Sequence, residues 1–218
     1  MTLQPFRTAG VAALGALALT IAVTTSVLAA GIYDKNLVVN GDAEAGPGAS
    51  GSGGVMKPPG WTTTGEFTAV QYGASGGFPD KTSPGPSDRG KNFFAGGNVA
   101  VSTATQMISL AAAAADIDQG TVTYVFSAWL GGYESQDDNA KIMLIFKGAD
   151  GASLGQAQLG PVVAAERKSK TGFLLKKASD TVPKGARSAT ITLTMTRAAG
   201  RYNDGEADDV SLILTKSP

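Results

Sequence analysis

The stretch "SATITLTMT" (188–196) alternates between apolar and hydroxyl-bearing side chains along its whole length. Ala189, Ile191, Leu193 and Met195 occupy one set of alternate positions, and threonines follow each of them. Successive side chains of a β-strand point to opposite faces, so this pattern predicts a strand that is buried on one face only. Such strands are typical of antiparallel sheets with one face in water.

Similar patterns recur through the chain at short spacing. The clearest is "TVTYVFSAWL" (121–130), in which apolar side chains again take alternate positions. Further candidates are "LVV" (37–39), "FTAVQY" (67–72), "NFFAG" (92–96), "ATQMISL" (104–110), "KIMLIF" (141–146), "LGQAQL" (154–159), "GFLLKKASDTV" (172–182) and "DVSLILT" (209–215). One short helical turn is expected in "AAAAADI" (111–117). About ten strands separated by turns predict an all-β fold, an antiparallel β-sandwich of jelly-roll type.

Two stretches, 45–60 and 73–90, are too rich in Gly, Pro and Ser for a helix or a central strand. They are expected to be long surface loops. No repeat of fixed period is visible, so one β-domain over 31–218 is predicted.

The composition excludes several classes of function. Among 218 residues, Lys plus Arg and Asp plus Glu both number 18, so no net charge is available to attract nucleic acid. Cysteine and histidine are both absent. Disulfides, thiol catalysis, histidine-dependent nucleophiles and the usual zinc sites are therefore excluded.

The N-terminal residues 1–30 have the three parts of a secretory signal peptide. An arginine near the start is followed by an uncharged Ala/Leu/Val run and by small residues around Ala29 and Ala30. An uncleaved membrane anchor is the alternative, since the uncharged run is just long enough to span a bilayer. The pattern favours cleavage, which predicts a secreted or cell-surface protein that starts near Gly31 and has no membrane contact afterwards.

Three acidic clusters lie between strand patterns and glycine-bearing turns: "NGDAEAG" (40–46), "SQDDNAK" (135–141) and "NDGEADDV" (203–210). Calcium needs several carboxylate and carbonyl oxygen atoms, and such junctions supply both. Aspartate also clusters in turns because it caps local backbone, and this interpretation is preferred for 135–141. For the other two clusters we expect a cation site that joins the first and last strands, with Asp42, Glu44, Asp208 and Asp209 supplying the charge.

Tyr133 directly follows Gly132 and Tyr202 lies two positions after Gly200, and each precedes an acidic loop, which suggests two corresponding loops. A sugar ring can stack on an aromatic side chain while neighbouring polar groups bind its hydroxyl groups. If both loops lie at one end of the sandwich, they would form a ligand-binding surface. Its candidate residues are Tyr133, Gln136, Asp137, Arg201, Tyr202 and Asn203. Trp61, by contrast, is interpreted as a core residue at a strand start.

Three motifs resemble galactose-binding-like β-jelly-roll domains, especially carbohydrate-binding modules. They are "NLVVNGDAEAGPG" (36–48), "PPGW" (58–61) and "ADDVSLIL" (207–214). Ala43 departs from the pattern, which usually has an aromatic residue before its glutamate. The resemblance implies a structural calcium ion near the joined ends, with Glu44 and Asp208 as side-chain ligands and backbone oxygen from Gly41 or Asp42.

The expected function is therefore that of a secreted, non-catalytic module that binds carbohydrate or a cell-surface glycan and holds a structural calcium ion. One alternative is a structural or adhesive protein of the cell surface or matrix that contacts other surface proteins. A second alternative is a glycoside hydrolase that uses two carboxylates, since two acids about 5 to 10 Å apart suffice for that chemistry.

Overall fold

The computed structural model of the chain describes Met1 and residues 31–217. The predicted signal peptide therefore lies, apart from Met1, outside the described residues. In the described part, no helix is long and apolar enough to cross a membrane.

Eleven strands make up most of the described chain. They are β1 (Ala49–Gly51), β2 (Thr62–Thr64), β3 (Thr68–Ser75), β4 (Asn92–Gly97), β5 (Val101–Ser109), β6 (Val122–Gly132), β7 (Asn139–Lys147), β8 (Ser153–Leu159), β9 (Gly172–Thr181), β10 (Ser188–Thr196) and β11 (Asn203–Lys216). The expected helical turn is present as a 3-10 turn (Ala111–Ala113) followed by α1 (Ala114–Gln119). It ends at Gly120, whose φ of 78° is a left-handed conformation that suits glycine.

The strands form two sheets that pack face to face. One has six strands in the order β1-β3-β4-β11-β6-β9, and the other has five in the order β2-β5-β10-β7-β8. Every pair is antiparallel except β1 with β3. The predicted all-β sandwich of jelly-roll type is therefore confirmed.

Strand β10 (188–196) lies at the centre of the five-stranded sheet, between β5 and β7. Its four apolar side chains are all 0% exposed, whereas its threonines are half-buried on the outer face. The alternating pattern of 188–196 therefore separates core from solvent, as predicted. Burial of an aliphatic side chain of this size stabilises the fold by about 1.5–3 kcal/mol.

The core between the sheets contains aromatic side chains from both layers. The Trp61 ring lies edge-on to that of Phe94, with their centres 5.7 Å apart. Its Nε1 donates a 3.0 Å hydrogen bond to the carbonyl oxygen of Asn40. The interpretation of Trp61 as a core residue is therefore confirmed.

Three short segments differ from the prediction, one of which is β2 (Thr62–Thr64), a strand that no predicted segment includes. Residues 37–39 form no strand, because the chain turns at Asn40, which has a φ of 52°. The N-terminal segment is held to β11 instead by Asn36, whose Nδ2 donates to Val210 O and whose Oδ1 accepts from Leu212 N. Strand β1 forms inside the Gly-rich stretch 45–60, where the sequence has no alternation to indicate it.

The outer face of the six-stranded sheet is partly covered by residues 76–90. Phe78 from this segment packs on Phe93 and is part of a second apolar cluster with Phe173. Arg89 holds the segment together, because its guanidinium group donates hydrogen bonds of 2.7–2.9 Å to three carbonyl groups within it.

Candidate functional site

An open groove of about 440 Å³ lies on the uncovered part of this outer face. Trp129 of β6, Lys177 of β9 and Asp209 of β11 belong to its lining. Asp42 reaches it from the N-terminal segment and Asp88 from the covering segment. The groove therefore joins an aromatic ring to several charged and polar groups.

Trp129 lies on the outer face because the even-numbered residues of β6 point into the core. In the sheet register it stands beside Asp208 on one neighbouring strand and Leu175 on the other. Its side chain is half-buried. Our sequence reasoning missed this residue, although the alternation that buries Leu130 also places its neighbour on the opposite face.

Asp209 enters the groove because β11 contains a bulge. The register shifts between Asp208 and Ser211, and Asp209 has a φ of 47°. Burial raises the pKa of the Asp209 carboxyl to about 6, and the negative charges of Asp88, Asp42 and Glu44 add to this shift. Bulges of this kind redirect a side chain next to functional sites.

The N-terminal segment and β11, which were expected to be joined, are in contact. The carbonyl oxygen of Gly41 accepts a 2.9 Å hydrogen bond from Val210 N, and a Cβ atom at Gly41 would lie 2.1 Å from Val210 O. Glu44 Oε1 accepts hydrogen bonds of 2.7 Å from Lys91 N and Asn92 N. Asp42 is exposed, and its Oδ1 accepts from Glu44 N.

Asp208 is separated from this group, although it is adjacent to Asp209 in sequence. It is 1% exposed and accepts a hydrogen bond from the hydroxyl group of Tyr72. Burial raises its pKa to about 8.

Within residues 31–217 no group of three or more acidic side chains is placed to hold a metal ion. A calcium ion there would need backbone or water oxygen atoms as well, and its presence stays a prediction.

The two tyrosines of the predicted ligand surface do lie near each other, but against the covering segment. The rings of Tyr202 and Phe78 meet edge to face with centres 5.2 Å apart. A Cβ atom at Gly77 would lie 2.5 Å from the Tyr133 ring. Tyr133 is half-buried, and Arg201 is exposed. The two tyrosine rings therefore pack against the covering segment 76–90 and are not free to stack on a sugar ring.

The remaining predicted ligand residues have structural contacts. Asn203 is 0% exposed, and its side chain bonds to backbone groups of Gly205 and Ala100. It does not reach solvent, which corrects its assignment to a ligand surface. Asp137 is exposed and accepts a hydrogen bond from Ala164 N, while Gln136 is half-buried beside the β10–β11 loop.

The other acids of 203–210 are buried as well. Glu206 is 0% exposed, neither carboxyl oxygen has a hydrogen-bond partner within the described residues, and burial raises its pKa well above the ordinary value. Burial, followed by the charge of Asp138, raises the pKa of Asp204 to about 7. The acidic stretch after Tyr202, which was expected to be a loop, is thus the first half of β11.

No family model matches the sequence, and no curated protein matches it. Solved structures of similar fold include the enzymatically active domain of tailspike protein 4 from bacteriophage CBA120, with 18% identity and a TM-score of 0.50. That match covers 83% of this chain and 21% of the tailspike chain.

Two carbohydrate-binding modules are also similar in fold. Family 16 Carbohydrate Binding Module-2 is 19% identical, with 82% of this chain and 99% of that chain covered and a TM-score of 0.46. The structure of TmCBM61 in complex with β-1,4-galactotriose is 14% identical, with coverages of 84% and 100% and a TM-score of 0.44. At such identities the similarity concerns the fold alone.

Proposed function

We propose that the chain is a secreted, non-catalytic module that binds carbohydrate in the groove beside Trp129. The observation that carries this proposal is a half-buried tryptophan at an open groove that is also lined by Asp42, Asp88, Asp209 and Lys177. A sugar ring presents an apolar face to an aromatic ring and hydroxyl groups to carboxylate and amide groups. The groove offers both kinds of partner within one concave surface.

A glycan array is the direct test of this proposal. We expect Trp129→Ala to weaken binding of the recognised glycan by roughly tenfold or more, since buried aromatic anchors dominate such contacts. Val125→Ala is the matched control, because Val125 lies on the same face of the same strand outside the groove. Equal binding by wild type and Trp129→Ala would show that the groove is not the carbohydrate site.

A binding role without catalysis is supported by the positions of the acids. Glu206 and Asp208 are 0% and 1% exposed, so a substrate would not reach them. The acids that line the groove are Asp42, Asp88 and Asp209. If the wild type released reducing sugar from a polysaccharide and Asp209→Asn did not, the protein would be a glycoside hydrolase and this proposal would be wrong.

We also propose that a calcium ion stabilises the junction at the edge of the groove. The support is that Asp42, Asp88 and Asp209 line one groove and that the negative charges of Asp88, Asp42 and Glu44 raise the pKa of Asp209 in addition to burial. Calcium would neutralise these charges and would bind carboxylate and backbone oxygen atoms there. Asp208 is not included, because its carboxyl group faces Tyr72.

Secretion is proposed from the pattern of residues 1–30. Protein recovered from the medium of an expressing culture should begin near Gly31 when its N-terminus is sequenced. An intact N-terminus on membrane-associated protein would favour the anchor instead.

A further inference from the structure

A second depression, of about 690 Å³, lies at one end of the sandwich. The β10–β11 loop and the β4–β5 turn form most of its wall, and it shares no lining residue with the groove. Its lining residues are Ser52, Asn98, Arg197, Gly200, Arg201 and Tyr202. Two arginines therefore line the same open space.

Neither arginine is neutralised by a neighbouring acid. In the range 31–217, no salt bridge involves Arg197 or Arg201. Arg201 is exposed, and its guanidinium group donates no hydrogen bond to another residue of that range. Arg197 Nη1 donates to the carbonyl oxygen of Arg201 at 2.6 Å, which links the two ends of the loop.

The loop that carries both arginines is fixed by hydrogen bonds to the buried Asp138. The buried Asp138 carboxylate accepts hydrogen bonds of 2.7–2.9 Å from the backbone nitrogen atoms of Ala198, Ala199 and Asp204. Gly200 allows the turn between the arginines, with a φ of 66°. The backbone is thus fixed before any ligand arrives, which lowers the entropic cost of binding.

Two acids near this depression accept hydrogen bonds from backbone nitrogen atoms. Glu66 Oε2 accepts a 3.0 Å hydrogen bond from Asn98 N. Asp138 is fully buried and accepts the three bonds described above. The two guanidinium groups are thus the charged groups that line the opening itself.

We infer that Arg197 and Arg201 bind an oxyanion group of an acidic polysaccharide, either the carboxylate of a uronic acid or a sulfate ester. A guanidinium group matches both ions because it can donate two parallel hydrogen bonds in a planar fork. The choice of an oxyanion rests on the arginines, and the choice of a polysaccharide as its carrier rests on the proposed function.

Binding to three polymers, measured by affinity electrophoresis, tests this inference. Polygalacturonate supplies carboxylates, dextran sulfate supplies sulfate esters, and neutral dextran is the uncharged polymer. We expect the wild type to bind one or both acidic polymers, more weakly at high salt because exposed charges are screened. The Arg197→Gln/Arg201→Gln double variant should lose about tenfold or more in affinity.

Single-residue variants distinguish a specific arginine contact from an effect of net charge or of misfolding. Arg201→Gln should fold normally, since the guanidinium group makes no internal bond, and should still weaken binding. Arg201→Lys should recover only part of the affinity, because lysine lacks the fork. Lys184→Gln is the charge control, since Lys184 is exposed in the turn before β10, at the opposite end of that strand, and should bind like the wild type.

The inference is overturned if the wild type binds neither acidic polymer, or if Arg201→Gln and the double variant bind as the wild type does. Its failure is distinguishable from failure of the groove. Arginine-dependent binding of the acidic polymers without any recognised neutral glycan would retain the oxyanion site while removing the groove. Glycan binding that depends on Trp129 but not on the two arginines would retain the groove while removing the oxyanion site.

Discussion

The hydroxyl group of Tyr72 donates a 2.5 Å hydrogen bond to Oδ2 of Asp208, which lies 136 positions away in sequence. Tyr72 is on β3 and Asp208 on β11, and β4 lies between these strands in the sheet. The guanidinium group of Arg89 stands 5.2 Å from the centre of the Tyr72 ring. These three side chains therefore connect the covering segment to the middle of the six-stranded sheet.

Tyr72→Phe should destabilise the protein by about 1–3 kcal/mol, because it leaves a buried carboxyl oxygen without its partner. Urea unfolding followed by tryptophan fluorescence gives the free energy of unfolding. Tyr124→Phe is the control, since within the described residues the Tyr124 hydroxyl group makes no hydrogen bond. Identical unfolding of wild type and Tyr72→Phe would show that the bond adds no stability.

The stability of the protein should fall as the pH rises from about 4 to about 7. Burial, followed by the charge of Asp138, raises the pKa of Asp204 from 3.8 to about 7. The folded state therefore holds this proton more tightly than the unfolded chain. The stability contributed by Asp204 is complete below its unfolded pKa and is lost as the pH rises through its folded pKa.

Urea unfolding at a series of pH values checks this slope. Asp204→Asn should make the decline less steep, whereas Asp150→Asn, at an exposed turn, should keep the slope of the wild type. Exposed acids with a lowered pKa, such as Asp118, act in the opposite direction only near or below about pH 4. A stability that rises steadily from about pH 4 to about pH 7 would contradict the burial of Asp204 as the dominant effect.

The two faces of β10 should respond very differently to truncation. Ile191 is 0% exposed between the sheets, so Ile191→Ala removes buried methyl groups and leaves a cavity, at a cost of about 2–5 kcal/mol. Thr190 lies half-buried on the outer face, and Thr190→Ala should change the stability by less than about 0.5–1 kcal/mol. Equal losses in thermal unfolding would mean that the alternation does not separate core from solvent.

Local alternation was sufficient to predict the strands and the buried residues of β6 and β10. The acidic clusters and the family resemblance indicated that the two ends of the domain meet, as the bond from Val210 N to Gly41 O shows. Alternation cannot indicate which outer face is covered, so Trp129 was missed. Nor does a Gly/Pro-rich stretch specify where its side chains dock, and Asp88 was missed for that reason.

The separation of Asp208 from Asp209 had a different cause. Regular alternation would place them on opposite faces of one strand, but the bulge sends Asp209 into the groove while Asp208 remains under the covering segment. A bulge depends on pairing with β6, which is distant in sequence. The acidic residues of 203–210 could therefore be recognised as a group, but not divided into a groove residue and buried residues.

Calcium should raise the melting temperature of the wild type. An ion bound only by the folded state adds about 2.7 kcal/mol at about 100 times its Kd, which corresponds to roughly 5–10 °C for a domain of this size. Asp209→Asn should reduce this rise, because the negative charges of Asp88, Asp42 and Glu44 act on the Asp209 carboxyl group and an ion there would neutralise them. Asp137→Asn, in the acidic cluster interpreted as a turn, should retain it. If the melting temperature is the same with calcium and with chelator, the proposal of a calcium ion at this junction is wrong.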